Sequence, residues 1–315
     1  MSPELSVIIP VFNERDNVLE LWDSLKAALA PLGGDWECVW VDDGSTDGTW
    51  ELLSGLADAE NECRAISLAR NFGQTAALSA GIAAARGEYI AALDGDLQND
   101  PADIPAMLKT ARDGADVVSG WRKERKDPFF SRVLPSAAAN WLISAVTGVR
   151  LRDYGCTLKV YRASFLKELE LYGEMHRFLP ALAGYRGAVI KETPVAHRPR
   201  LRGGSKYGLG RTFKVALDLL TVKFMGDYLS KPIYVFGGAG LLLGLSSVIM
   251  AGWTLYNKLA NGVFVKDQPL FLVAIFFAIV GIQFILLGLI AEMLMRTYYG
   301  SSGRPPYRVR RRSGF

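Results

Sequence analysis

Histidine is almost missing from this 315-residue chain: only His176 and His197 occur, and neither has a partner at metal-ligand spacing. Both read as structural or surface residues rather than ligands. Cysteine is equally sparse. Cys38, Cys63 and Cys156 are an odd number at spacings that match neither a disulfide framework nor a zinc site, so they read as reduced, buried thiols. A net charge of only +4 argues against a general nucleic-acid binder, and no nucleic-acid partner is expected. The first ten residues lack a basic segment followed by a long apolar one, so no secretory signal is expected there. Apart from a short basic tail there are no repeats or low-complexity tracts.

Hydrophobic residues make up 50% of the chain and charged ones 22%, a mixture that fits an uneven distribution better than a uniformly soluble or uniformly embedded protein. The apolar residues do concentrate late. Pro232 to Tyr256 and Pro269 to Ala291 contain no charged side chain, and each run is long enough to cross a hydrocarbon core, which takes about 20 helical residues. The loop between them, Asn257 to Gln268, carries only Lys258 and Lys266. Arg198, Arg200, Arg202, Lys206, Arg211, Lys214, Lys223 and Lys231 precede the first run, and Arg296, Arg304, Arg308, Arg310, Arg311 and Arg312 follow the second. This asymmetry predicts a cytoplasmic location for both termini, and the clustered cations suit anionic lipid headgroups.

In the first two thirds, short β-branched runs alternate with helical patterns. Strands are predicted from Leu5, Trp36, Cys63, Tyr89 and Asp116, with helices near Asn17 to Ala30, Asp47 to Ala59, Gln74 to Ala85 and Pro101 to Arg112. Strand–helix alternation predicts an α/β fold with a parallel sheet covered on both faces. Two further helices are expected. One, Phe129 to Val146, either packs on the sheet or lies in the membrane interface; the other, Arg211 to Tyr228, reads as interfacial.

Ligands of open α/β sheets bind beyond the carboxyl ends of the strands, and the polar clusters fall there. The first strand ends in Pro10, Asn13 and Glu14, the second in Asp42 and Asp43, the fourth in Asp94, Asp96 and Gln98, the fifth in Arg122. If the strand runs through DGDLQ, Asp94, Asp96 and Gln98 share one face and offer three oxygen groups to Mg²⁺ or Mn²⁺. Adjacent Asp42 and Asp43 can accept hydrogen bonds from a base or ribose.

PVFNE (from Pro10), VDDGSTDGT (from Val41), DGDLQNDP (from Asp94) and RLRGGSKYG (from Arg200), in that order, resemble the family-2 glycosyltransferases of GT-A fold. Within that family they resemble the polyprenyl-phosphate branch of dolichyl-phosphate mannose synthases and bacterial undecaprenyl-phosphate sugar transferases. The likeness spans about the first 210 residues, and the two-span tail is similar to bacterial members. It implies a Rossmann-like GT-A domain over residues 1–210, an interfacial helix at 211–231, spans at 232–256 and 269–295 around an extracytoplasmic loop at 257–268, and a basic tail at 296–315. It further implies that Pro10, Phe12, Glu14 and Asp43 line the nucleotide pocket, and that Asp94, Asp96 and Gln98 hold metal and diphosphate. Arg122, Arg132, Ser136, Arg200 and Lys206 are then phosphate contacts, and Asp153 an acidic residue near the acceptor.

The implied reaction is an inverting transfer from a nucleotide-diphosphate sugar, with UDP-glucose as first choice, to a polyprenyl phosphate at the inner membrane. One departure is Asn99–Asp100–Pro101 where some relatives carry His-Pro-Pro or Asn-Pro-Pro. A processive polysaccharide synthase is disfavoured because no QxxRW motif follows, and an inactive adaptor because the acidic and basic groups are intact. Gly240 and Gly244 form a GxxxG in the first span, suited to helix packing, and leave a homo-oligomer open.

Overall fold

The computed structural model describes residues 2–33, 35–123, 134–169, 171, 175–198, 233–301 and 307–315. The chain divides into two compact units: residues 1–222 with 305–315, and residues 223–304.

The larger unit is built on an eight-stranded sheet. Its strands are β1 (Leu5–Val11), β2 (Trp36–Asp42), β3 (Cys63–Leu68), β4 (Tyr89–Ala92), β5 (Val117–Arg122), β6 (Lys159–Arg162), β7 (Ile190–Val195) and β8 (Val309–Ser313). They lie in the order β7-β5-β6-β4-β1-β2-β3-β8. β1, β2 and β4 are buried on both faces or nearly so, because helices cover both sides. These helices are α1 (Arg15–Leu29), α2 (Thr49–Ala59), α3 (Gln74–Ala84) and α4 (Ile104–Arg112), joined by α5 (Leu134–Thr147), α6 (Ala163–Lys167) and α7 (Leu179–Tyr185). Val18, Leu21, Trp22, Leu25 and Leu29 recur at helical spacing and form the buried stripe of α1. In α3 the stripe is made of small residues, since a Cβ on Gly81 would come within 2.3 Å of the Ile8 side chain.

Two strands depart from the expected parallel pattern. β6 runs antiparallel to both β4 and β5, so β4 and β5 are not neighbours. The chain therefore enters β6 at the end of the sheet where β4 and β5 finish, and its leading loop is delivered beside theirs. The second is β8, which pairs antiparallel with β3. The expected basic tail is in part an edge strand: Ser313 Oγ donates to Asp58 at 2.7 Å, and the Arg64 guanidinium lies 3.8 Å from the Phe315 ring centroid.

The smaller unit holds two long helices, α8 (Ile233–Asn261) and α9 (Pro269–Ser301). Their apolar stretches, Phe236–Asn261 and Pro269–Ala291, are long and apolar enough to cross a membrane and are mostly exposed. α8 runs past the expected span end at 256, carrying Lys258 inside its last turn. The Gly240/Gly244 pair meets α9 at Gly281: a Cβ on Gly240 would sit 2.6 Å from the Gly281 carbonyl, and one on Gly281 would sit 2.8 Å from that of Gly240. Reciprocal glycines let the backbones approach, as the GxxxG pattern predicted.

Candidate active site

The loops after β1 and β2 are stitched together. Asn13, at φ 52°, accepts from Thr46 N at 2.9 Å, and its own N–H donates to Ser45 Oγ at 2.9 Å. Glu14 N donates to Thr49 Oγ1 and Arg15 N to Asp47, each at 3.2 Å. Gly44 at φ 75° has no room for a side chain, since a Cβ would lie 2.5 Å from the Arg70 carbonyl carbon. The local sequence thus fixes the rim before any ligand arrives.

Inside the rim lies a cavity of about 220 Å³ lined by Pro10, Phe12, Glu14, Asp43, Asn71, Gly73, Gln74, Asp94 and Asp96, among others. Four loops, those after β1, β2, β3 and β4, converge there and bring Pro10, Phe12, Glu14, Asp43, Asp94 and Asp96 together, whereas Arg122, expected beside them from the end of β5, is not among the lining residues. Asp42 is not among the lining residues. Its carboxylate accepts from Ser45 N at 2.9 Å and Ser67 Oγ at 3.0 Å, so it closes the turn and ties β2 to β3. Asp43 accepts from Phe72 N and Gly73 N at 2.8 and 2.9 Å. Burial pushes its carboxyl up, against the lowering effect of those two N–H groups.

The DGDLQ segment differs from the expected strand. β4 ends at Ala92, and Asp94 to Gln98 form a turn in which Leu97 adopts φ 61°. A left-handed residue breaks the two-residue alternation, so Asp94, Asp96 and Gln98 do not share a strand face. Asp94 and Asp96 line the cavity and Gln98 does not. Instead, Gln98 N donates to Asp96 at 3.2 Å, and the Gln98 carbonyl accepts from Arg198 N at 2.9 Å.

No cluster of three or more His, Cys, Asp or Glu side chains able to hold a metal occurs among the described residues. Two carboxylates at one cavity wall still fit a hard divalent cation that completes its shell with substrate phosphate oxygens, the usual arrangement for Mg²⁺.

In the loop leading into β6, Asp153 is almost fully buried and grips Arg122 at the end of β5, Nε to Oδ2 at 2.7 Å and Nη2 to Oδ1 at 3.0 Å. Arg132, Arg200 and Lys206 lie outside the described residues, as does the expected helix at 211–231. Ser136 falls within α5, but its side chain is likewise outside them.

Three residues at or beneath the site escaped the motif-based reading. Asn71 and Gln74 line the cavity, and Gln74 Nε2 donates to Asp94 at 2.8 Å. Lys159, the first residue of β6, is buried and donates to the carbonyls of Tyr154 and Cys156. Burial holds its pKa below the usual lysine value; the Arg122 charge adds to this, and Cys156 and the Asp153 and Asp94 carboxylates offset it only in part. The only signal for Gln74 was its place at the start of a helix. For Lys159 it was a cation inside an apolar run.

A family profile described as "Glycosyl transferase family 2" matches residues 6–192, which includes every cavity-lining residue named above. The chain belongs to glycosyl transferase family 2. It is 45% identical over 98% of its length to dodecaprenyl-phosphate galacturonate synthase of Rhizobium johnstonii, covering 93% of that protein. It is 36% identical over 96% of its length to undecaprenyl-phosphate 4-deoxy-4-formamido-L-arabinose transferase of Edwardsiella ictaluri, covering 92% of it. Among solved structures it is similar in fold to glucosyl-3-phosphoglycerate synthase of Mycobacterium tuberculosis, crystallised with Mn²⁺, uridine diphosphate and phosphoglyceric acid. The TM-score is 0.52 at 19% identity, covering 71% of this chain and 78% of the other. The fold is GT-A, and this family-2 protein is a glycosyltransferase.

Proposed function

We propose that this enzyme transfers a sugar from a nucleoside diphosphate to a polyprenyl phosphate, with inversion, at a membrane. The observation that carries the proposal is the end-to-end likeness to two polyprenyl-phosphate sugar transferases, which extends through both apolar helices. UDP-glucose, the first expectation for the donor, has no counterpart in either relative's name. The higher identity favours a nucleoside diphosphate-linked galacturonate as donor, with a 4-amino-arabinose derivative as the alternative.

In this reading the nucleoside sits against Pro10, Phe12, Glu14 and Asp43, and the diphosphate meets the Asp94–Asp96 wall. A lipid phosphate oxygen attacks the anomeric carbon, the bond from that carbon to the diphosphate oxygen breaks, and the nucleoside diphosphate leaves from the opposite face. A divalent cation held by Asp94 and Asp96 would neutralise charge on the leaving group. The acceptor needs little deprotonation, because a phosphate monoester has a second pKa of about 6. Asp153 therefore serves best as the residue that orients Arg122, whose guanidinium offsets repulsion between two anionic substrates. Catalysis would come mainly from aligning the two anionic reactants and stabilising the leaving group.

Arg132, Ser136, Arg200 and Lys206 are proposed as further acceptor-phosphate contacts on the resemblance alone. The cytoplasmic placement of the catalytic unit rests on the flanking cations alone; β8, paired with β3 after both apolar helices, supports only that the residues before and after those helices share one compartment.

The test is a panel of labelled nucleotide sugars offered to membranes containing the protein, with dodecaprenyl, undecaprenyl and dolichyl phosphates, with and without EDTA. Organic-extractable label from the galacturonate donor, lost with EDTA, is expected. Label that stays water-soluble with every acceptor would overturn the lipid assignment.

A further inference from the structure

Asp43 and Asp94 stand on different loops, yet three consecutive residues, Phe72 to Gln74, join them. Asp43 fixes the N–H groups of Phe72 and Gly73. Gly73, at φ 97°, turns the chain into α3, and the first residue of that helix, Gln74, donates its amide to Asp94 Oδ1 at 2.8 Å. Gln74 also lines the cavity. We propose that Gln74 is a positioning residue for the cation and donor diphosphate: its side-chain amide sets the rotation of the Asp94 carboxylate at the cavity wall. The proposal rests on the cation reading of Asp94 and Asp96 given above.

The residue type suits the task. An amide N–H fixes one carboxylate oxygen without neutralising the group, whereas a lysine or arginine would bring a charge that competes with a divalent cation. Outer partners of metal-binding carboxylates set their orientation, and removing one typically weakens metal binding by roughly 10- to 100-fold. The strap is rigid on both sides of Gln74, since Thr75, the next residue, hydrogen-bonds His176 Nδ1 through Oγ1 at 2.8 Å. The amide is thus presented from a backbone held at both ends.

Mn²⁺ binding to the full chain in detergent, followed by electron paramagnetic resonance with UDP present, tests this without turnover. Gln74→Leu keeps the bulk and Gln74→Ala shortens the side chain; both remove the donor, and a folded sample of either decides the question. Each should bind Mn²⁺ roughly tenfold more weakly than the native protein. Thr75→Val, which loosens the same helical turn but leaves the Gln74 donor in place, should lose clearly less binding than either Gln74 variant. Native-like binding by the Gln74 variants while Asp94→Asn binds weakly would overturn the Gln74 role alone, and so would an equal loss in Thr75→Val. Undiminished binding by Asp94→Asn, or none by the native protein, would overturn the cation reading and this inference with it.

Discussion

Arg122 and Asp153 form a forked pair, two hydrogen bonds of 2.7 and 3.0 Å between side chains 31 positions apart. β5 ends at Arg122 and the loop entering β6 carries Asp153, so the antiparallel insertion of β6 is what makes them meet. Arg122 N and Gly155 N also donate to Asp153, at 3.3 and 3.1 Å. The carboxylate is thus committed to holding its loop and its arginine.

If Asp153 acts through Arg122, the two substitutions are not additive. Asp153→Asn should lower kcat/KM for the lipid acceptor by at least about tenfold, and Asp153→Asn with Arg122→Gln should be no worse than the more damaging single change. Acceptor titration in a transfer assay checks this. A double variant whose loss equals the product of the single losses would make Asp153 an independent participant. Removing one partner of a buried ion pair also destabilises the protein, so the thermal midpoint of Asp153→Asn should fall.

Asp96 is buried at the cavity wall, and its Oδ1 accepts the turn N–H of Gln98 at 3.2 Å. Asp96→Ala should cut turnover by about 100-fold or more, the scale seen when one electrostatic contact to a transition state is lost. Circular dichroism should remain native. Unchanged turnover in the purified variant would remove Asp96 from the site.

Glu37 lies at the other end of the sheet, nearly inaccessible, and receives Ser6 Oγ, Arg86 N, Arg86 Nε and Arg64 Nη1 at 2.7 to 2.9 Å. Burial pushes its carboxyl up, but the hydrogen bonds from Ser6 and Arg86 and the Arg64 charge outweigh it and hold the carboxyl below its usual range. A lowered folded-state pKa contributes stability that is present above the unfolded value, about 4.3, and is lost as pH falls through the folded one. The melting temperature should therefore drop on acidification below about pH 4. Glu37→Gln should melt lower at pH 7 and show a shallower acid decline; a parallel decline would exclude Glu37 as its source.

At β8, Gly314 has φ 75°, and an added Cβ would lie 2.6 Å from the Cys63 carbonyl. Gly314→Val should loosen β8 and raise amide hydrogen exchange across Cys63–Leu68, with less change in β1. Unaltered exchange in β3 would show that β8 does not protect it.

The parallel half of the sheet and the loops after β1, β2 and β4 were legible because they depend on local patterns: apolar runs, helix starts and polar clusters at strand ends. β6 was not. Lys159–Arg162 is four residues long, and its direction is set by backbone pairing with residues 67 and 44 positions earlier, Ala92 to Lys159 and Val117 to Tyr161 among the partners. Leu97 misled for a related reason, since one left-handed residue ends an alternation that the letters DGDLQ continue. In β8, Arg310, Arg311 and Arg312 give no apolar signal. That strand is held by backbone pairing to β3 and by contacts made at Ser313 and Phe315.

β8 also imposes an order of assembly. Synthesis runs from the N-terminus, so the hydrogen-bonding edge of β3 stays open while both apolar helices are being made. An open edge invites pairing with other chains. A catalytic sheet whose β3 edge is closed by β8 records that the helices before that strand have been completed.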